Sequence, residues 1–137
     1  MKRKLTPAMT MLAVATMAMV LAACGSDPKP LTLTRDASGG SAEVKVDHVL
    51  EITLEGNPTT GYSWEVKESG KPTLRPQGEP VYVQTETGGT LVGAGGTYTF
   101  TFVGAETGTT TLELIYHRTW ETDVAPLETF TLEVTVT

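Results

Sequence analysis

Residues 50–66 read LEITLEGNPTTGYSWEV. Apolar and polar side chains alternate on both sides of residues 57–62, which predicts two half-buried strands with a turn between them. Asn57 can close a turn with its own side chain, Pro58 fixes one backbone dihedral, and Gly61 tolerates a positive φ. The turn is stiff and uncharged, and it holds no nucleophile beside a base, no metal ligand and no phosphate cradle. It is therefore suited to being presented to a partner as a preshaped wedge.

The same period of two recurs along the chain after residue 30, and no stretch there shows a helical period or a pair of helix caps. Residues 69–80 are rich in Pro, Gly and charge and are expected to be irregular connection or edge; residues 85–96 are expected to form a long loop. About seven or eight short strands in about a hundred residues predict an all-β fold, an immunoglobulin-like antiparallel β-sandwich. A small closed barrel is the alternative.

This alternation predicts which side chains face the core and which carboxylates face solvent. Trp64 is expected on the inner face. The expected outward carboxylates are Glu51, Glu55, Glu65, Glu113 and Glu133.

The first 23 residues have the features of an export signal. A basic start, residues 2–4, precedes an apolar run over residues 9–21, which is short for a membrane span. The following Leu21-Ala22-Ala23-Cys24 looks like a bacterial lipobox, in which Cys24 becomes the acylated first residue. We therefore expect a signal peptide over residues 1–23, a lipidated tether over 24–30, and an exported protein anchored to the outer membrane or cell surface. A plain signal peptide with an incidental cysteine is the alternative.

Charge and cysteine content narrow the classes of partner. The chain has 10 Lys plus Arg and 16 Asp plus Glu; without the three basic residues of the signal the balance is 7 − 16 = −9. Nucleic acid is a poor partner for such a surface. Cys24 is the single cysteine, so no disulfide within the chain is available and packing must stabilise the domain.

A glycine-rich segment, Gly93-Ala94-Gly95-Gly96, stands directly before the strand that begins near Thr97. Its backbone could approach another surface closely. A phosphate-binding loop is excluded because no helix follows and no Lys stands in the required position. A flexible hairpin loop is the ordinary interpretation.

A third motif, Arg118-Thr119-Trp120, follows the strand that ends near Tyr116. A tryptophan in a polar loop either folds back on the core or is offered to a partner as an anchor. Loops of a sandwich that leave alternate hairpins gather at one end, so this motif, the glycine segment and residues 57–62 could share one end of the domain.

These three segments, in this order, resemble the three inhibitory loops of the chagasin family. Members of that family are protein inhibitors of papain-like cysteine peptidases. The resemblance covers nearly all of residues 31–137, which would form the inhibitor domain, and it implies a reversible, competitive, non-enzymatic mechanism without a cofactor, metal or small-molecule substrate. The residues it assigns to peptidase binding are Asn57, Pro58, Thr59, Thr60, Gly61, Tyr62, Gly93, Ala94, Gly95, Gly96, Arg118, Thr119 and Trp120.

The resemblance also implies how the loops act. Thr59, with its neighbours Pro58 and Thr60, would lie nearest the catalytic thiolate, while the other two loops grip the sides of the cleft. Two positions depart from the family pattern: Thr119 replaces the usual proline, which makes that loop less preorganised, and Tyr62 replaces a frequent phenylalanine.

Two other classes of function compete with this one. An enzyme would have to use His48 or His117, both of which are expected at strand edges or in loops. A lipid-anchored binding module for a glycan or an envelope protein could use the aromatic residues Tyr62, Tyr82 and Trp120.

Overall fold

The computed structural model describes residues 28–85 and 95–137. The predicted signal peptide, Cys24 with the first half of the tether, and Gly93 and Ala94 lie outside the described residues. Two 3₁₀ turns, Arg35–Ala37 and Pro58–Thr60, are the only helical segments of the described part. Its strands are β1 (Leu31–Leu33), β2 (Gly40–Val44), β3 (Val49–Gly56), β4 (Ser63–Glu68), β5 (Leu74–Pro76), β6 (Val81–Gln84), β7 (Gly96–Gly104), β8 (Gly108–His117) and β9 (Glu128–Val136).

The strands form two sheets, which confirms the predicted β-sandwich. One sheet has the order β1-β3-β7-β5, with β6 also paired to β7, and the other has the order β2-β9-β8-β4. The described residues hold nine strands rather than seven or eight, because the short edge strand β5 lies within the stretch expected to be irregular or edge. Two edge pairs, β1 with β3 and β2 with β9, are parallel, while the pairs at the centre of both sheets are antiparallel.

Parallel pairing at the edges follows from the order of strands along the chain. A parallel pair needs a connection that returns to the starting end of the sheet. Between β1 and β3 the chain passes through β2, which belongs to the other sheet, and this excursion makes the return.

The core lies between the sheets and contains Trp64, as predicted. Trp64 is 5% exposed, and its Nε1 donates to the Glu55 carbonyl at 2.9 Å. None of the five predicted outward carboxylates is buried. The largest fully buried side chains are Phe102, Phe130, Leu50, Ile52, Leu54, Leu74, Leu112, Leu114, Leu132, Val134 and Val136.

Strand register places residues 57–62, the described Gly95 and Gly96 of the glycine segment, and the Arg118 motif at one end of the sandwich, here called the loop end. Gly56, the last residue of β3, is opposite Gly96, the first residue of β7. Ser63, which begins β4, is opposite His117, which ends β8. The connection over residues 57–62 therefore crosses between the sheets beside the start of β7 and the end of β8. Within residues 28–85 and 95–137, no helix is long and apolar enough to cross a membrane.

Candidate functional site

The central loop, residues 57–62, is a 3₁₀ turn closed by the side chain of Asn57. Asn57 Oδ1 accepts hydrogen bonds from the Thr59 backbone N–H at 3.1 Å and from Thr59 Oγ1 at 2.6 Å. Pro58 begins the turn, and Gly61 ends it with a φ of 82°, in the left-handed region that favours glycine. Both features follow from the sequence, and the exposed stretch Pro58–Thr60 is thereby held in one shape.

Aromatic rings beneath the central loop fix its height above the core. The Tyr116 hydroxyl accepts a hydrogen bond from the Asn57 backbone N–H at 2.8 Å. The Tyr116 ring lies between those of Tyr62 and Trp64, with centroid distances of 5.4 and 5.1 Å. The sequence pattern placed Tyr116 near the end of a strand but did not indicate that it supports the loop. A phenol hydroxyl at the last inward position of a strand is the one signal that could have suggested it.

Gly56 lies close to the rings of two tyrosines. A Cβ added there would lie 2.8 Å from Cε2 of Tyr98 and 3.2 Å from Cε2 of Tyr116, so a side chain at this position would push the rings apart. Tyr98 also packs on Tyr82, at a centroid distance of 4.8 Å. Burial, followed by the neighbouring Tyr116 and Tyr82, raises the pKa of the Tyr98 phenol above its ordinary value of 10.0.

The third loop, residues 118–127, contacts the central loop directly through Arg118. Nε and Nη2 of Arg118 each donate to the Thr60 carbonyl at 3.2 Å, and the guanidinium carbon lies 4.4 Å from the centroid of the Tyr62 ring. Nη1 of the same side chain pairs with Glu121 at 3.1 Å. One planar cation thus joins two loops that are far apart in sequence.

Trp120 is exposed beside the central loop. Its side chain is 66% exposed, so of the two alternatives for this tryptophan the structure shows the exposed one. The ring edge lies against Gly61, where an added Cβ would come 2.5 Å from Cη2. Thr119, in the position of the family proline, is also exposed. The central loop and Trp120 therefore form a continuous projecting surface.

The described part of the glycine segment packs against the base of the central loop. A Cβ on Gly95 would lie 3.2 Å from the Gly56 carbonyl, and one on Gly96 would overlap the Val83 carbonyl. The Gly95 carbonyl accepts a hydrogen bond from the Thr85 N–H at 3.0 Å. These two glycines are explained by close backbone packing at the start of β7.

The two histidines lie where the sequence placed them. His48 is half-buried directly before β3, and His117 ends β8 with Nε2 2.6 Å from Glu65 Oε2. In the part of the chain that the structure describes, no group of three or more His, Cys, Asp or Glu side chains is placed to hold a metal ion.

Comparison with known proteins agrees with this geometry. The sequence model of the chagasin family of peptidase inhibitors, I42, matches residues 43–134. Amoebiasin-1 of Entamoeba histolytica is 35% identical over 108 residues, covering 77% of this chain and 99% of the relative. Chagasin of Trypanosoma cruzi is 33% identical over 104 residues, covering 73% and 92%.

A solved structure is also similar. The crystal structure of a cysteine protease inhibitor from Entamoeba histolytica superposes with a TM-score of 0.71 at 25% identity, covering 79% of this chain and 96% of that one. Since the family match covers more than half of the chain and contains all three loops, this chain belongs to the chagasin family of peptidase inhibitors.

Proposed function

We propose that this protein is a reversible, tight-binding competitive inhibitor of papain-like cysteine peptidases, and that its central loop enters the active-site cleft. Family membership and the similarity to a cysteine protease inhibitor support the function. The observation that carries the mechanism is the exposed, uncharged turn Pro58–Thr60, held rigid on an aromatic base with Trp120 beside it. Rigidity lowers the ordering cost of binding.

Thr59 is the tip of the wedge and would lie nearest the catalytic thiolate, with Pro58 and Thr60 on either side. The carbonyls around it are held by hydrogen bonds within the inhibitor. The Asn57 carbonyl accepts from the Thr60 N–H and Oγ1, the Pro58 carbonyl from the Gly61 N–H, and the Thr60 carbonyl from Arg118. A carbonyl so held resists the rotation needed to present it in line to a nucleophile, which explains how a loop can fill the cleft without being cleaved.

The flanking loops would grip the walls of the cleft. Trp120, exposed beside the wedge, is suited to bind an aromatic or apolar patch at one side. Residues 93–96 would approach the other side through backbone groups, since glycines permit close contact.

We also infer that the inhibitor acts from the cell envelope, anchored by lipid on Cys24. The support is the order of basic start, apolar run, small residues and cysteine within residues 1–24. Labelling cells that produce the protein with a lipid precursor tests this, because label should enter the wild-type chain and not the Cys24→Ala variant.

The function itself is tested by titrating papain with the full chain in a mild nonionic detergent, following hydrolysis of a small fluorogenic peptide. We expect stoichiometric, reversible loss of activity that excess substrate relieves. No loss of activity at micromolar concentrations of a folded chain would contradict the proposal and favour a binding module for a glycan or envelope protein.

A further inference from the structure

The second half of the third loop presents an unusual density of exposed apolar side chains. Val124 and Leu127 are 59% and 61% exposed, close to the 66% of Trp120. Of the six large hydrophobic side chains that are exposed among the described residues, these three belong to this one loop. Single exposed apolar residues are ordinary, but a cluster bordered by polar residues indicates an interaction site.

Val124 and Leu127 border a groove that is continuous with the central loop through Tyr62. The groove has a volume of about 230 Å³. Backbone hydrogen bonds fix the loop at both ends, from the Glu121 N–H to the Arg118 carbonyl at 3.0 Å and from the Leu127 N–H to the Tyr116 carbonyl at 2.8 Å. Tyr62 and Arg118 line the groove together with Val124 and Leu127.

We propose that Val124 and Leu127 form a second apolar contact with the target peptidase, outside Trp120, and that this contact helps to select the target. The inference rests on the proposed function, because the groove shares Tyr62 and Arg118 with the surface that would enter the cleft. A matching peptidase would present an apolar or aromatic side chain on the surface beside its cleft.

A second copy of this chain is a less suitable occupant than a peptidase. Three side chains at this exposure offer on the order of 300 Å² of apolar surface. A specific interface buries roughly 1,200 Å² or more. The patch is therefore too small to hold a dimer by itself, but it can extend the contact made by the neighbouring loops.

The test compares two serine double variants of the full chain against papain and against a panel of papain-like peptidases. Val124→Ser with Leu127→Ser removes the proposed contact. Val81→Ser with Val83→Ser is a matched control, since those side chains are 59% and 62% exposed on β6, outside the groove. We expect the first variant to bind at least one peptidase of the panel tenfold or more weakly, mainly through faster dissociation, and the control to stay within twofold of wild type.

Further readouts separate a lost contact from other causes. Thermal unfolding checks that both variants are folded, and Val124→Ile with Leu127→Met should retain wild-type affinity because it keeps the apolar surface. The inference is overturned if wild type inhibits and the Val124 and Leu127 serine variant inhibits equally well across the panel. It is also overturned if both serine variants bind more weakly to the same extent. A wild-type dimer in sedimentation that the Val124 and Leu127 serine variant abolishes would overturn it as well. A wild-type chain that inhibits no peptidase overturns the proposed function and this inference together.

Discussion

Tyr116 has two roles at the scale of single residues. Its ring fills the core between Tyr62 and Trp64, and its hydroxyl accepts the Asn57 N–H that begins the central loop. Removing a partner from a partly buried N–H costs about 1 to 3 kcal/mol. The hydroxyl therefore sets the position of the wedge as well as adding to stability.

Tyr116→Phe should bind papain about tenfold more weakly, because the central loop loses the hydrogen bond from the Asn57 N–H to the Tyr116 hydroxyl and samples other positions. Inhibition constants and urea unfolding measure the two effects. Tyr62→Phe is the control, since phenylalanine is frequent there in the family and the ring contact with Tyr116 is kept. Equal inhibition by Tyr116→Phe and wild type would show that the hydroxyl does not position the loop.

Gly61 permits a second test at the scale of single residues, because the effect of its positive φ can be separated from the effect of its close contact with Trp120. Alanine at a positive φ costs about 1 kcal/mol wherever it is placed. Gly61 has a φ of 82° and Trp120 within 2.5 Å of an added Cβ, whereas Gly78 has a φ of 73° and nothing within 4 Å. Gly61→Ala and Gly78→Ala should lose similar backbone stability, but only Gly61→Ala should weaken papain binding, by tenfold or more, as the Trp120 ring is displaced. Similar inhibition by the two variants would contradict the role given to this contact.

At the scale of elements, the loop end is a joined structure rather than three independent loops. Arg118 carries the third loop onto the Thr60 carbonyl and the Tyr62 ring, and Gly95 packs on the last residue of β3. Thr119 lacks the conformational restriction of the family proline. The Arg118 contacts supply part of the order that the proline would provide.

Arg118→Lys should weaken papain binding by about tenfold. Lysine keeps the charge but lacks the planar guanidinium that donates to the Thr60 carbonyl and also stacks on the Tyr62 ring. Arg35→Lys is the matched control: Arg35 pairs with Glu128 at 2.7 Å, but its side chain is 64% exposed and belongs to a different loop. Titration of papain with both variants provides the measurement. Loss of inhibition in the Arg35 variant as well would indicate a general charge effect in place of the proposed bridge.

Local pattern was sufficient for the long strands and insufficient for the contacts between loops. Alternation identifies β3, β7 and β9 because each has three or more apolar side chains at a period of two. The short strand β5 has one buried side chain, Leu74. Because Pro and Gly stand on both sides of this strand, the sequence shows no alternation that would predict it. The contacts of Asn57 with Tyr116 and of Thr60 with Arg118 join residues 59 and 58 positions apart, so no local pattern contains them.

At the scale of the whole molecule, the parallel pairing of β1 with β3 determines at which end of the sandwich the N-terminal segment joins the domain. Leu31 is opposite Leu50 near the start of β3, while the central loop follows the end of β3. Gly56 lies six positions after Leu50 along the strand, on the order of 20 Å away. A chain held by its N-terminus thus carries the loop end on its far side.

A chain attached to lipid vesicles through Cys24, by a maleimide lipid, should inhibit soluble papain within twofold of the free protein. Attachment through the loop end, using Cys24→Ala with Thr119→Cys, should abolish inhibition because the wedge then faces the bilayer. Residual papain activity against vesicle-bound inhibitor measures both. Loss of inhibition on attachment through Cys24 would contradict this orientation.

The central claim is that the central loop and Trp120 act together in the peptidase cleft. The inhibition constant of the double variant Thr59→Ala with Trp120→Ala against papain, set beside that of wild type, tests it most directly. Truncating an anchor such as Trp120 costs about 2 to 4 kcal/mol, so binding should weaken by at least about 30-fold. The unfolding midpoint should stay close to that of wild type, because both side chains are exposed in loops. A folded double variant that inhibits papain as well as wild type would show that the loops do not form the inhibitory surface.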